Sequence, residues 1–232
     1  MPRDIAIIGT GGTSREIVDA LEAANRAGAD WNILGFVDDN RALEGAVFYG
    51  GLRVLGPSAA VAAPPLENAA VAIGVANDRR LLIRKEIRAS LALDDDRSPP
   101  VIHPAASISP HAVIGAGCVI LAGVSCSGLA SLGRHVVVLQ NTVIAHDVQI
   151  ADYATVAAAV VMGGNVRIDE GAYIGQGSML FPGVRIGAQS KVGMGAVVLR
   201  DVPAGVTVVG NPARILDKSA RQTRSASHSQ TT

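Results

Sequence analysis

His146 and Asp147 stand side by side in VIAHDVQIADYATV, residues 143–156. An imidazole titrates near neutral pH, so it can take a proton and hand it back. An adjacent carboxylate can orient the ring and raise its basicity. That is the chemistry of a general base. The surrounding stretch is otherwise monotonous, with an aliphatic residue every sixth position and small or polar residues between. The pair is either decoration on a structural repeat or its reacting centre.

The repeat decides where the pair points. From Val101 to Val202 the chain divides into 17 consecutive hexads, and the second position of each is Ile, Val, Leu, Met or Cys. Helical and strand periods cannot hold a strict six over such a length. Six is the period of a hexapeptide β-helix, in which each hexad makes one face of a triangular coil and three make an 18-residue turn. The second positions then point inward and stack. The run amounts to about 5.7 coils, roughly 27 Å tall at the spacing between paired strands.

Steps of one coil put His146 in the column Pro110, Gly128, His146, Gly164, Pro182, Arg200. Asp147 falls in the column His111, Leu129, Asp147, Asn165, Gly183, Asp201. These are mostly turn and polar residues, so both columns belong to an outward corner of the prism. Gly164 stacks directly beyond His146 and leaves space and a bare backbone N–H beside the ring. A β-helix has few concavities of its own. Its clefts form along corners where neighbouring prisms pack, and a histidine held there is well placed as a base.

Residues 1–95 follow another grammar. Ile5–Ile8 reads as a strand ending in Gly9-Thr10-Gly11-Gly12. A helix follows with Ile17, Val18, Leu21 and Ala24 on one face, then a second strand at Ile33–Val37 ending in Asp38-Asp39. A further strand is expected at Ala70–Ile73 and a helix from Arg79 to Leu91, with Leu82, Ile83 and Ile87 inward. Strand, glycine turn, helix, strand is a Rossmann-like βαβ pattern. The turn is a phosphate-binding signal, because glycines let the backbone approach an anion and the helix N-terminus supplies N–H groups. Gly9, Gly11 and Gly12 are the candidates. Asp38 and Asp39 are placed to meet a ribose or base edge. Ser14 occupies the sixth position of GxGxxG, which disfavours a dinucleotide dehydrogenase.

The charged, proline-rich DDDRSPP at 94–100 marks the boundary. The expected organisation is an α/β domain over 1–98, a left-handed parallel β-helix over 99–216, with PAGVTVVGNPARIL at 203–216 leaving the repeat to cap it, and a disordered polar tail over 217–232. The composition fits a thin, regular object: 232 residues with 49% apolar, 3% aromatic and 26 glycines. Twenty basic and 20 acidic residues balance, so no nucleic-acid field or membrane patch is expected. Cys118 and Cys126 lack the spacing of a zinc or redox motif and read as reduced buried thiols. The N-terminus lacks a signal-peptide h-region and no apolar run spans a bilayer, so a soluble, cytoplasmic protein is expected.

IIGTGG at 7–12, GFVDDN at 35–40, VAIGVANDRR at 71–80, IAHDVQIAD at 144–152 and VVGNPARI at 208–215 together resemble the bacterial sugar acyltransferases. That family includes the sialic-acid O-acetyltransferases and the nucleotide-activated amino-sugar N-acetyltransferases. The resemblance implies acetyl-CoA as donor, a homotrimer with active sites at subunit interfaces, and His146 as base with Asp147 as its partner. It implies a backbone N–H at Gly164 near the thioester carbonyl, and a nucleotide sugar held by the N-terminal domain through Gly9, Gly11, Gly12, Asp38 and Asp39. The CoA arm would run toward Lys191, Arg200 and Arg214. Thr155 stands where relatives often carry a second histidine, and is expected near the acetyl group. Thr13-Ser14 likewise replaces a frequent histidine. No metal is expected, since histidines 103, 111, 135, 146 and 228 include no close pair. An N-acetyltransferase acting on a nucleotide-linked amino sugar is the leading reading. A sialic-acid-type O-acetyltransferase is the second, and a non-catalytic sugar-nucleotide-binding protein is the third.

Overall fold

A computed structural model describes residues 2–216. The expected tail, 217–232, lies outside the described residues. The α/β domain is built on a parallel three-stranded sheet. Strand β1 (Arg3–Ile8) lies in the middle, between β2 (Trp31–Val37) and the later β5 (Ala70–Ile73). Helix α1 (Gly12–Arg26) crosses over between β1 and β2. A small hairpin, β3 (Val47–Tyr49) and β4 (Leu52–Arg53), follows, and α2 (Ile83–Ser90) closes the domain. Helix α2 begins four residues later than its apolar pattern suggests. The Asn77 side chain accepts from the N–H groups of Arg79 and Arg80, 2.8 Å each, and holds that stretch in a turn.

From Val101 onward, two-residue strands recur every six residues and each pairs in parallel with the strand 18 residues away. Val143 pairs with both Ser125 and Val161. Three sheets result, one for each face of a parallel β-helix. The first face begins at Val101, the second at Ser107 and the third at Val113. Second positions from Ile120 to Val198 are buried, as the hexads predict. The sixth position also points inward, adding Cys118, Val136, Val148, Val160 and Val166 to the same core. The fifth position takes left-handed backbone: Gly117, Gly171 and Gly183 do so freely, whereas Leu129, Asp147 and Asn165 hold φ near +60°.

The end departs from expectation. The repeat loses two residues from one turn, so that Val202 bridges Ile186 and Thr207 pairs with Lys191, each 16 residues away. Thr207–Val209 thus adds another strand to the first face before Arg214–Ile215 folds back antiparallel over it. The capping segment therefore extends the first face before it closes the sheet edge.

The two domains share a seam. Val101, Val119, Leu121 and Val137 point outward from the first face, yet are buried in one cluster with Ile17, Val18 and Leu21 of α1. Arg97 ties back to the α/β domain through the carbonyls of Val61, Leu66 and Ala69, and Val101 starts the first coil. No helix among the described residues is long and apolar enough to cross a membrane.

Candidate active site

His146 and Asp147 lie on the corner between the second and third faces, on the turn that links Val143–Ile144 to Gln149–Ile150. Asp147 has φ +60°, a conformation that short polar side chains tolerate better than most. That twist brings its Oδ2 to 2.7 Å from His146 Nδ1. A neutral ring that donates from Nδ1 to this carboxylate turns Nε2 outward as the acceptor nitrogen. Both side chains are open to solvent in the single chain, 66% and 43% exposed.

Gly164 sits against the face of the ring. A Cβ there would lie 2.5 Å from His146 Cε1 and 2.6 Å from Nε2, so only glycine leaves the imidazole where it is. No backbone acceptor among the described residues takes the Gly164 N–H. A base and a free N–H donor therefore share one corner, which is the minimum for deprotonating a nucleophile while an oxyanion is held.

The α/β domain carries a separate site. Gly9, Thr10, Gly11, Gly12, Thr13 and Asp38 line a cavity of about 380 Å³ with Gly74–Asn77. Gly9 is required by its backbone, φ +98°, and by Val75 Cγ2, which a Cβ would meet at 2.8 Å. Gly11 and Gly12 have no such constraint, and a Cβ on either would take up open space. Helix α1 has no side-chain N-cap and no acidic residue in its first turn, which leaves its terminal N–H groups for an anion. Ser14 is fully buried and donates to Gly74 O at 3.1 Å. It stands at the tight helix–strand approach that the third glycine of GxGxxG would otherwise allow.

Asp38 Oδ2 accepts from Thr10 Oγ1 at 2.7 Å and its Oδ1 from the Asn40 N–H at 2.9 Å. Asp39 is tied to a neighbouring turn. Its Oδ1 accepts from both the hydroxyl and the N–H of Ser58, at 2.7 and 2.9 Å, fastening the start of a short 3₁₀ turn. The Ser58 hydroxyl, then its N–H, hold the Asp39 carboxyl below the usual carboxylate range. Asp39 still lines a second cavity of about 230 Å³ with Asp38, Asn77 and Arg80. Gly74–Asn77 lines the first cavity although only its place in VAIGVANDRR marked it. A strand ending in glycine beside the GTGG strand was the available signal.

The residues expected along the CoA arm do not gather within one chain. Thr155 is 5% exposed on the first face, and its hydroxyl accepts from Arg84 at 3.0 Å. It faces the interdomain seam and lies on a different face from the His146 corner. Lys191 is also on the first face, 3.9 Å from Asp78. Arg200 lies in the shortened turn, and Arg214 on the antiparallel strand that closes the helix. Beside the His146 corner, the third face instead presents Gln149, Arg167, Asp169 and Arg185 around a cavity of about 420 Å³. Among the described residues, no three of His, Cys, Asp and Glu gather as a metal-holding group.

The PglD N-terminal domain family matches residues 4–86. The acetyltransferase domain of PglB from Neisseria gonorrhoeae, solved with acetyl coenzyme A, is 30% identical, covering 93% of this chain and 100% of its own, with a TM-score of 0.81. The chain belongs to the hexapeptide-repeat sugar acyltransferases. Two further members have the same architecture. PerB from Caulobacter crescentus, in complex with CoA and GDP-perosamine, is 28% identical over 92% of this chain and 97% of its own, TM-score 0.80. WeeI from Acinetobacter baumannii is 29% identical over 92% and 100%, TM-score 0.78. A comparison with curated proteins finds no match. As a sugar acyltransferase of this architecture, the chain combines the left-handed β-helix and the α/β domain that the sequence predicts.

Proposed function

We propose that this enzyme transfers the acetyl group of acetyl-CoA to the amino group of a nucleotide-linked amino sugar. The observation that carries the reading is the His146 corner: a ring fixed through Nδ1 by Asp147, with Gly164 bare beside Nε2. The amine attacks the thioester carbonyl, forming the C–N bond. His146 Nε2 takes the proton the amine loses, while the Gly164 N–H donates to the oxyanion. The C–S bond then breaks and the proton passes from His146 to the departing sulfur. Asp147 orients the ring throughout.

The nucleotide is assigned to the cavity of Gly9, Gly11, Gly12 and Asp38, its phosphates on the α1 N-terminus. PerB, which is similar over most of this chain, was solved with CoA and GDP-perosamine. That supports the class of acceptor and leaves base and sugar to experiment. The α/β domain covers the first face, and the His146 corner is opposite that face. A sugar held by one chain therefore meets the base of another, which favours a homotrimer. Val143, Val161, Met179 and Phe181 leave an apolar strip beside that corner for a neighbour to cover. Acetyl-CoA supply places the reaction in the cytoplasm.

The test is thiol release from acetyl-CoA with a panel of nucleotide-linked 3-amino and 4-amino sugars and free sialic acid. Release with one amino sugar is expected. Release with sialic acid alone would replace this reading by O-acetylation. Nucleotide binding without release on any acceptor would make the chain a binding protein.

A further inference from the structure

Arg84 is the largest fully buried side chain among the described residues, 1% exposed, and no carboxylate among them pairs with it. A buried guanidinium without a counter-ion is costly unless its N–H groups are satisfied. Here five hydrogen bonds reach all three of its nitrogens, with three acceptors sharing the two N–H groups of Nη2. Nε donates to His135 O at 2.9 Å and Nη1 to Val75 O at 3.0 Å. Nη2 donates to Tyr153 O, to Ala154 O at 3.0 Å and to Thr155 Oγ1 at 3.0 Å. Burial lowers the group only to about 10, so it stays charged at neutral pH.

The acceptors share a logic. His135 and Tyr153 are fifth-position residues of successive coils, on the corner between the third and first faces. The ladder between coils uses the carbonyls on either side, at Arg134 and Val136, but not the one at His135. Arg84 takes the two carbonyls the ladder leaves, at His135 and Tyr153, and shares a third, Ala154 O, with the Val137 N–H. The one acceptor outside the β-helix is Val75 O, and Val75 lines both cavities of the α/β domain. A single planar fork therefore joins the wall of those cavities to two coils of the prism.

We infer that Arg84 is a positioning residue for the nucleotide-sugar site, holding the Val75–Asn77 wall in register with the β-helix. The inference rests on the assignment of the nucleotide to that cavity. Arg is suited to the task because its fork addresses several carbonyls at fixed angles, whereas a lysine ammonium addresses them as a point charge.

The experiment is calorimetric titration of the full chain with UDP, GDP, CDP and dTDP, and separately with coenzyme A, for the parent, Arg84→Lys and Thr155→Val. The parent should bind at least one nucleotide. Arg84→Lys should weaken that binding about tenfold, the scale of one lost charge-assisted hydrogen bond. Thr155→Val should weaken it by less, and coenzyme A affinity should stay within about twofold in both. A general loss of folding would lower both affinities together. Unchanged nucleotide affinity in Arg84→Lys overturns the inference alone. Should that variant fail to fold, unchanged affinity in Thr155→Val overturns it. A parent that binds none of the four nucleotides overturns the assignment of the cavity, and the inference with it.

Discussion

Asp147 Oδ2 lies 2.7 Å from His146 Nδ1, although the two residues are neighbours in sequence and in most backbones would point apart. The left-handed backbone at Asp147 closes that gap. The carboxylate fixes which ring nitrogen carries the proton. Asp147→Asn keeps the shape but permits the other tautomer, and is expected to lower kcat by roughly 10- to 100-fold with little change in KM for acetyl-CoA. Steady-state thiol release measures both.

Gly164→Ala tests the space beside the ring. Its Cβ would fall 2.5 Å from His146 Cε1, and the exposed imidazole is free to swing away. The expected result is a loss of about 10-fold or more in kcat, as for other displaced catalytic groups, with an unchanged thermal midpoint. Retained activity would mean that the base works from another rotamer.

The packing of α1 on the sheet offers a stability test. Gly74→Ala would put a Cβ 2.2 Å from Ser14 Oγ and 2.8 Å from Ser14 Cα. Overpacking of this kind costs about 1–3 kcal/mol. Urea unfolding should show that loss, and Ser14→Gly in the same chain should recover part of it.

His135 makes the stability pH-dependent. It is fully buried against Tyr153, ring centroids 5.6 Å apart, and neither ring nitrogen has a partner among the described residues. Burial, then the charges of Arg88 and Arg84, push it down to about 4 from 6.5. Between those values the unfolded chain binds a proton that the folded chain refuses. Stability is therefore full above pH 6.5 and falls as the pH drops toward 4, by about 3 kcal/mol from this group. His135→Asn removes the titration, and its melting temperature should change less with pH across that window, whatever its absolute value.

The hexads made most of the β-helix legible. An aliphatic second position at Ile144, Ile150 and Val156 fixes both the inward column and the strand, since nothing else repeats in six. The 18-residue step of the corner columns likewise puts His146 against Gly164. What stayed hidden depends on contacts that no local pattern carries. Outward Val101, Val119 and Val137 are apolar because α1 covers them, and a single-residue column cannot say what covers it. The sixth position mixes Val, Ala, Ser, Thr and Cys and so lacks the signature of the second. The two-residue loss before Val202 breaks the 18-residue step, and with it the columns that carried Arg200. Likeness to a relative's histidine does not reveal that the Thr155 hydroxyl meets Arg84, a residue 71 positions away.

The central claim is that His146 is the base of an acetyl transfer. The most direct measurement is the rate of thiol release from acetyl-CoA by His146→Ala, using whichever nucleotide-linked amino sugar the parent turns over. Nucleotide and coenzyme A affinities would be determined on the same samples. If His146 is the base, kcat falls by about 10²- to 10⁴-fold with both affinities retained. A variant that binds both ligands and turns over at the parent rate would contradict it.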